Sequence, residues 1–205
     1  RAEIGAVDAK FPNEILVAIN NRDPRLHDAY RANLKTGKLT LEYQNDQEFA
    51  EIQADNDFKI RAAMKITPAG GNEIQVRESA DSTWRTLVTV DPADALTTSP
   101  AGFTPDNKGL YMISSLGSNT AQLRELDIAS SKEKLIASDD TYDVSGVFSP
   151  PIKHNIQAVA FIKDRLSWKV IDPSIADDFA ALSKVRDGDF GIINRDDADK
   201  TWLVS

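Results

Sequence analysis

The sequence predicts an all-β fold: a partial β-propeller of about four antiparallel blades plus the start of a fifth, with one or two short inserted helices. Three observations carry this. Apolar runs beginning at Ile15, Ala62, Leu110 and Ala158 follow one another at steps of 47, 48 and 48 residues, and a fifth, Trp202-Leu203-Val204, comes 44 residues after Ala158. Around these runs, short segments alternate apolar and polar side chains with period two, as the buried face of an antiparallel sheet requires. Gly, Pro, Asn and Asp punctuate the segments at short intervals. A period of this size marks propeller blades, each too small to bury its own face and stable only when stacked on a neighbour. The repeats stop before they would close a ring, so the chain is expected to be part of a larger protein.

The first unit is set at residues 1–54. Residues 14–20 form a strand, and the loop Asn21-Arg22-Asp23-Pro24-Arg25 follows. Residues 27–34 alternate through Tyr30, Ala32 and Leu34, Lys35-Thr36-Gly37-Lys38 makes a hairpin turn, and residues 39–43 alternate through Leu39, Leu41 and Tyr43. Residues 46–57 are a candidate helix, because Phe49 and Ile52 stand three apart. The second unit, 55–98, has strands at 58–67, 73–78 and 84–90 around the tight turn Ala69-Gly70-Gly71-Asn72. The third, 99–143, has Phe103, a turn over 104–109, then strands at 110–114, 122–128 and 133–137. The fourth, 144–187, has strands at 156–163 and 166–171. It then changes period: Ile175, Phe179, Leu182 and Val185 are helically spaced after Pro173-Ser174, with Ser174 placed to cap and Asp177 and Asp178 near the positive helix start. Residues 188–205 open a fifth unit. Nothing resembling a Gly/Ser linker separates the units.

Composition narrows the function. Lys and Arg total 24 against 32 acidic residues, a net charge of −8, and no basic cluster exists; such a chain is a poor ligand for nucleic acid or an anionic membrane. The apolar runs fall far short of the roughly 20 residues that a membrane-spanning helix needs. Without cysteine there is no disulfide, thiol nucleophile or zinc–thiolate site. The absence of cysteine does not fix the compartment.

No catalytic residue is identified. A nucleophile elbow needs Gly-x-Ser-x-Gly, since its strained turn tolerates only small neighbours, and no such motif occurs. His27 and His154 stand without a nucleophile motif, one opening a strand and one in a polar turn. Phosphate-binding loops are missing, so no cofactor is expected. Asp55-Asn56-Asp57 starts like a calcium loop, but Ile60 and Thr67 occupy the positions where Gly and Glu are required, and Asp196-Asp197-Ala198-Asp199 reads as a solvated turn; no metal is expected. Trp84, Trp168 and Trp202 lie in strands and are assigned to packing between blades. Arg22, Asp23 and Arg25 are the candidate substrate or interface residues, because propeller loops gather at the channel ends and Arg grips a carboxylate bidentately. Internal ion pairs with Asp23 or Asp28 compete for the same guanidinium groups.

The motifs carry a family resemblance. Phe103-Thr104-Pro105-Asp106-Asn107-Lys108, followed by Leu110-Tyr111, resembles the strand–turn–strand motif of prolyl oligopeptidase and TolB-type propellers, and Phe148-Ser149-Pro150-Pro151 stands 45 residues later in a variant form. The second unit shows no such turn. Ile19-Asn20-Asn21-Arg22-Asp23-Pro24, His27-Asp28-Ala29-Tyr30-Arg31, Trp168-Lys169-Val170-Ile171-Asp172-Pro173 and Gly188-Asp189-Phe190 resemble the N-terminal propeller of bacterial prolyl oligopeptidase family serine peptidases, of the dipeptidyl- or acylaminoacyl-peptidase kind. The resemblance implies a non-catalytic propeller that admits short peptides to a C-terminal α/β-hydrolase domain lying outside this chain. Its partners would be that domain and short peptide substrates, with self-association through open blade edges. The dipeptidyl-peptidase pair of adjacent glutamates is not matched by Glu48 and Glu51. The alternative is a free-standing TolB-like propeller that binds other proteins.

Overall fold

The computed structural model describes residues 1–205. Seventeen strands form five antiparallel sheets in chain order, each a simple meander. Sheet 1 holds β1 (Ala2–Ala6), β2 (Glu14–Asp23), β3 (Leu26–Asn33) and β4 (Leu39–Tyr43). Sheet 2 holds β5 (Glu51–Ala54), β6 (Ile60–Ile66), β7 (Asn72–Val76) and β8 (Arg85–Val90). Sheet 3 holds β9 (Ser99–Phe103), β10 (Gly109–Ser114), β11 (Gln122–Asp127) and β12 (Glu133–Ala137). Sheet 4 has three strands, β13 (Val144–Phe148), β14 (Ala158–Ile162) and β15 (Leu166–Val170), and sheet 5 has two, β16 (Ile192–Arg195) and β17 (Trp202–Val204). The repeating apolar runs are the second strands β2, β6, β10 and β14, and β10 and β14 are the most buried strands of their sheets.

The first strands carry a shared irregularity. β1, β5, β9 and β13 each pair with their second strand through a register shift, at Ile4/Ala6, Gln53/Ala54, Tyr111/Met112 and Val144/Gly146. Three of the four contain glycine, and Gly102 adopts φ +119°, which a side chain would resist. A bulge bends the strand and increases its twist, which suits the crowded inner position of a blade.

Period-two alternation sends successive side chains to opposite neighbours, so the cores lie between sheets. Between sheets 1 and 2, Leu16, Ala29, Phe58 and Ile60 are buried, with Tyr43, Ile52 and Trp84 against them. Between sheets 2 and 3, Ala62, Ile74, Val76 and Val90 meet Phe103, Leu110, Met112, Leu126 and Ile128. On β10, Leu110 and Met112 face sheet 2 while Tyr111 faces sheet 4, where Leu123, Val159 and Phe161 join it. Ala158, Trp168 and Val170, on the other face of sheet 4, meet Ile175, Phe179 and sheet 5. Gly71 is fixed by close approach: a Cβ there would lie 2.2 Å from the Val90 carbonyl oxygen.

One helix forms, α1 (Ala176–Val185), entered through a 3-10 turn at Pro173–Ile175. Asp172 caps the 3-10 turn, its side chain accepting from Ser174 N at 2.9 Å, and α1 itself has no side-chain cap, so Ser174 does not cap as the spacing suggested. Asp177 and Asp178 occupy the first turn and Lys184 the last, matching the helix dipole. The helix expected over 46–57 is absent. Residues 51–54 are β5, since pairing with β6 buries Ile52 and Ala54 against sheet 1, while Phe49 packs edge-on against Trp84 at 4.8 Å. Residues 51–54 therefore belong to the second sheet, not the first unit.

Candidate functional site at the two ends of the blades

In a meander blade, the turns joining strands one to two and three to four lie at one end, while the middle hairpin and the link to the next blade lie at the other. The inner turns 7–13, 55–59, 104–108 and 149–157 thus share one end. The loop 23–26 and the link 44–50 share the opposite end.

At the crossover end the structure gathers the candidate residues into internal pairs. Arg22 donates from Nε and Nη2 to the two Asp28 carboxylate oxygens, both at 2.8 Å, and from Nη2 to the Asn45 carbonyl at 3.3 Å. Asp28, on β3, is 1% exposed and also accepts from Asn45 N at 2.8 Å. Arg22 thereby ties β2 and β3 to the link between sheets 1 and 2. The Arg22 guanidinium, hydrogen-bonded to both carboxylate oxygens, holds the Asp28 carboxyl below the usual carboxylate range. Arg25 closes on Asp23 through its backbone N, Nε and Nη2 at 2.9, 3.2 and 2.8 Å, lowering the Asp23 pKa to about 2. Arg25 itself is exposed to solvent.

A pH dependence follows from Asp28. A carboxyl whose pKa is depressed by folding adds stability above the unfolded-state value, and that stability disappears as pH falls through the folded value. Asp28→Asn is expected to melt below the wild type at pH 7. The two melting curves should converge as pH drops below the ordinary carboxylate range, near 4 and downward. Melting temperatures between pH 7 and pH 2 check this; a gap that persists unchanged at low pH would contradict it.

The inner-turn end holds a network the sequence did not reveal. In the turn after β5, Asp55 Oδ1 accepts from Asp57 N and Lys59 N, both at 2.9 Å, and Oδ2 accepts from Arg61 Nη1 at 3.2 Å. Both side chains are largely buried, 4% exposed for Asp55 and 10% for Arg61. Arg61 Nη1 also donates to the Asn107 carbonyl at 2.9 Å, in the turn after β9. Asn107 Oδ1 accepts from Asn56 N at 3.0 Å, its Nδ2 donates to Asp57 Oδ2 at 3.0 Å, and Asn56 Nδ2 donates to the Thr104 carbonyl at 2.9 Å. Asn107 sits at φ +58°, a conformation Asn tolerates better than most residues.

The same end connects to sheet 1. Arg31 donates to Glu14 and to the Asp57 carbonyl, Glu42 accepts from Lys59 at 2.6 Å, and Lys10 pairs with the Asp57 carboxylate. His154, in the inner turn of sheet 4, places Nε2 3.1 Å from Asp8 Oδ2 in the inner turn of sheet 1. Asp55-Asn56-Asp57 is therefore a fastener between blades. It is also the turn that seemed missing from the second unit: Lys59 and Lys108 are 49 residues apart and close equivalent turns. That offset was the available signal.

His27 Nε2 has no partner, and His154 faces a carboxylate. Asp196 accepts from Lys200 N and Thr201 N, and Asp199 from Arg195 and Trp202, so these carboxylates are engaged within their own turn. The tryptophans pack between sheets: Trp84 against Tyr43 and Phe49, and Trp168 and Trp202 in an aromatic cluster around Phe148 and Phe179.

Meander sheets stacked face to face around bulged inner strands define a β-propeller segment. Solved structures agree: TolB from Acinetobacter baumannii matches over 84% of this chain and 42% of its own, with TM-score 0.53 at 14% identity. A prolyl endopeptidase structure matches over 82% of this chain and 28% of its own, with TM-score 0.55 at 13% identity. No family model matches. In sequence, dipeptidyl aminopeptidase BIII of Pseudoxanthomonas mexicana is 38% identical over 204 residues, all of this chain and 30% of that protein. Dipeptidyl peptidase family member 6 of Caenorhabditis elegans is 24% identical, over 93% of this chain and 27% of its own. The chain spans less than a third of the length of these curated relatives. The chain is therefore similar in sequence to part of a dipeptidyl aminopeptidase and, in fold, is a β-propeller segment.

Proposed function

We propose that this chain is the non-catalytic propeller portion of a prolyl oligopeptidase-like serine peptidase, gating the access of short peptides to a hydrolase domain in the remainder of the parent protein. The observation that carries this reading is the similarity of the whole chain to a dipeptidyl aminopeptidase more than three times as long. The mechanism is exclusion by shape. Blades joined by buried apolar cores and by polar fasteners at their inner turns would form a rigid arc of the opening, and a rigid opening passes an extended peptide while refusing a folded protein. Arg22, Asp23 and Arg25 would form part of the polar rim at the crossover end, with Arg22 holding the link between blades and Arg25 turned outward. The alternative reading is a free-standing TolB-like propeller that binds other proteins, whose fold this chain shares.

The test is a substrate series of increasing length, cleaved by a longer protein that joins this chain to its hydrolase region. Cleavage efficiency is expected to fall steeply between short peptides and folded proteins, and to recover for long substrates when the fastener is cut by Asp55→Ala. Equal cleavage of short and long substrates would overturn the gating role.

A further inference from the structure

Sheet 4 differs from its neighbours at its outer edge. Sheets 1, 2 and 3 each end in a fourth strand, whereas sheet 4 ends at β15 and the chain turns away into α1. The hydrogen bonds Lys163 N to Arg165 O and Ile171 N to Gln157 O bracket the β14–β15 ladder at its two ends. Antiparallel alternation between them makes Ser167 and Lys169 the residues bonded to β14. Leu166, Trp168 and Val170 therefore direct their backbone groups outward. Asp189 Oδ2 takes the Leu166 N–H at 3.0 Å, but the outward N–H and C=O groups of Trp168 and Val170 have no protein partner.

These groups line a groove of about 570 Å³. Its opposite wall is α1, with the small side chains Ala176, Ala180 and Ser183 facing β15 across the gap. At one end Arg165 is already paired with Asp187 and Asp189, at 3.2 and 2.8 Å, whereas Arg186 has no carboxylate partner. The groove thus offers two free donor–acceptor pairs in strand register, an apolar wall of small residues and an unpaired cation at one end. We propose that it binds an extended peptide segment, which adds to β15 as the missing fourth strand by pairing with Trp168 and Val170 and places a carboxylate near Arg186. Backbone pairing at a sheet edge supplies affinity, and the wall selects small apolar side chains at alternate positions. The cation left unpaired at the end of the groove favours an extended segment that carries its own carboxylate. The inference stands apart from the gating role and needs no hydrolase domain.

The test titrates the isotope-labelled protein with a heptapeptide of alternating valine and alanine that ends in a free carboxylate. Amide signals of Trp168 and Val170 are expected to shift and to gain protection from exchange, with those of Ser167 and Lys169 little changed. Methylating the peptide's backbone nitrogens at alternate residues should weaken binding about tenfold, since each lost hydrogen bond is uncompensated in the groove. Val170→Pro removes an outward N–H without touching the β14 ladder and should abolish binding; if that variant fails to fold, the methylated peptide decides. Absence of shifts at Trp168 and Val170 at millimolar peptide, equal binding of the methylated peptide, or shifts confined to β4 and β12 would each overturn the proposal.

Discussion

Leu110→Ala is expected to destabilise the chain by about 2–5 kcal/mol, the range for truncating a fully buried leucine. Leu110 is 0% exposed at the centre of the contact between sheets 2 and 3, paired with Phe103 and Leu126 in its own sheet and packed with Ile74 and Val76 of the next. The lost methyl groups leave a cavity that two sheets must share. Because each blade contacts mainly its neighbours, the damage should also weaken the coupling between sheets 1–2 and sheets 3–4, broadening the unfolding transition. Urea denaturation reads both effects. Leu135→Ala, on the half-exposed outer strand β12, is the control and should change stability by less than about 0.5 kcal/mol. Equal losses at the two positions would mean that the sheets do not stack through these faces.

Asp55→Ala is expected to cost about 3–5 kcal/mol, because it leaves Arg61 buried without its counter-charge. It also frees the N–H groups of Asp57 and Lys59 and so loosens the turn that holds Asn107 of the next blade. The double variant Asp55→Ala, Arg61→Met should recover part of the loss, as an apolar side chain of similar length carries no charge to desolvate. Denaturation of both single variants and the double variant forms the cycle. Strict additivity would show that the two side chains act separately.

Much of this fold was legible in the sequence because the second strand of each blade carries an apolar run, covered on both faces in β10 and β14. The runs in β2, β6, β10 and β14 recur at a nearly constant spacing, and that spacing revealed the repeat. The inner strands were not legible. Ala2–Ala6, Glu51–Ala54, Ser99–Phe103 and Val144–Phe148 are short, all but Glu51–Ala54 are bulged, and β9 carries both glycine and proline, so alternation is broken where the blade is narrowest. In the second sheet this produced a false helix: Phe49 and Ile52 stand three apart, yet Phe49 reaches Trp84 from a loop and Ile52 from a strand.

The polar ends were legible in part. Arg22 and Asp28 are close in sequence and meet across one hairpin, so their pairing could be anticipated. Asp55, Arg61 and Asn107 meet across two blades, and nothing local to Asp55-Asn56-Asp57 distinguishes a fastener from the opening of a cation loop. Only the equivalence of two turns a repeat apart does so.

The central claim is that this chain gates chemistry performed elsewhere. The most direct measurement incubates the purified chain with dipeptidyl p-nitroanilides, with and without a serine-directed inhibitor, beside the longer protein joined to its hydrolase region. The account predicts no turnover by the chain alone and inhibitor-sensitive turnover by the longer protein. Inhibitor-sensitive hydrolysis by the chain alone would contradict it.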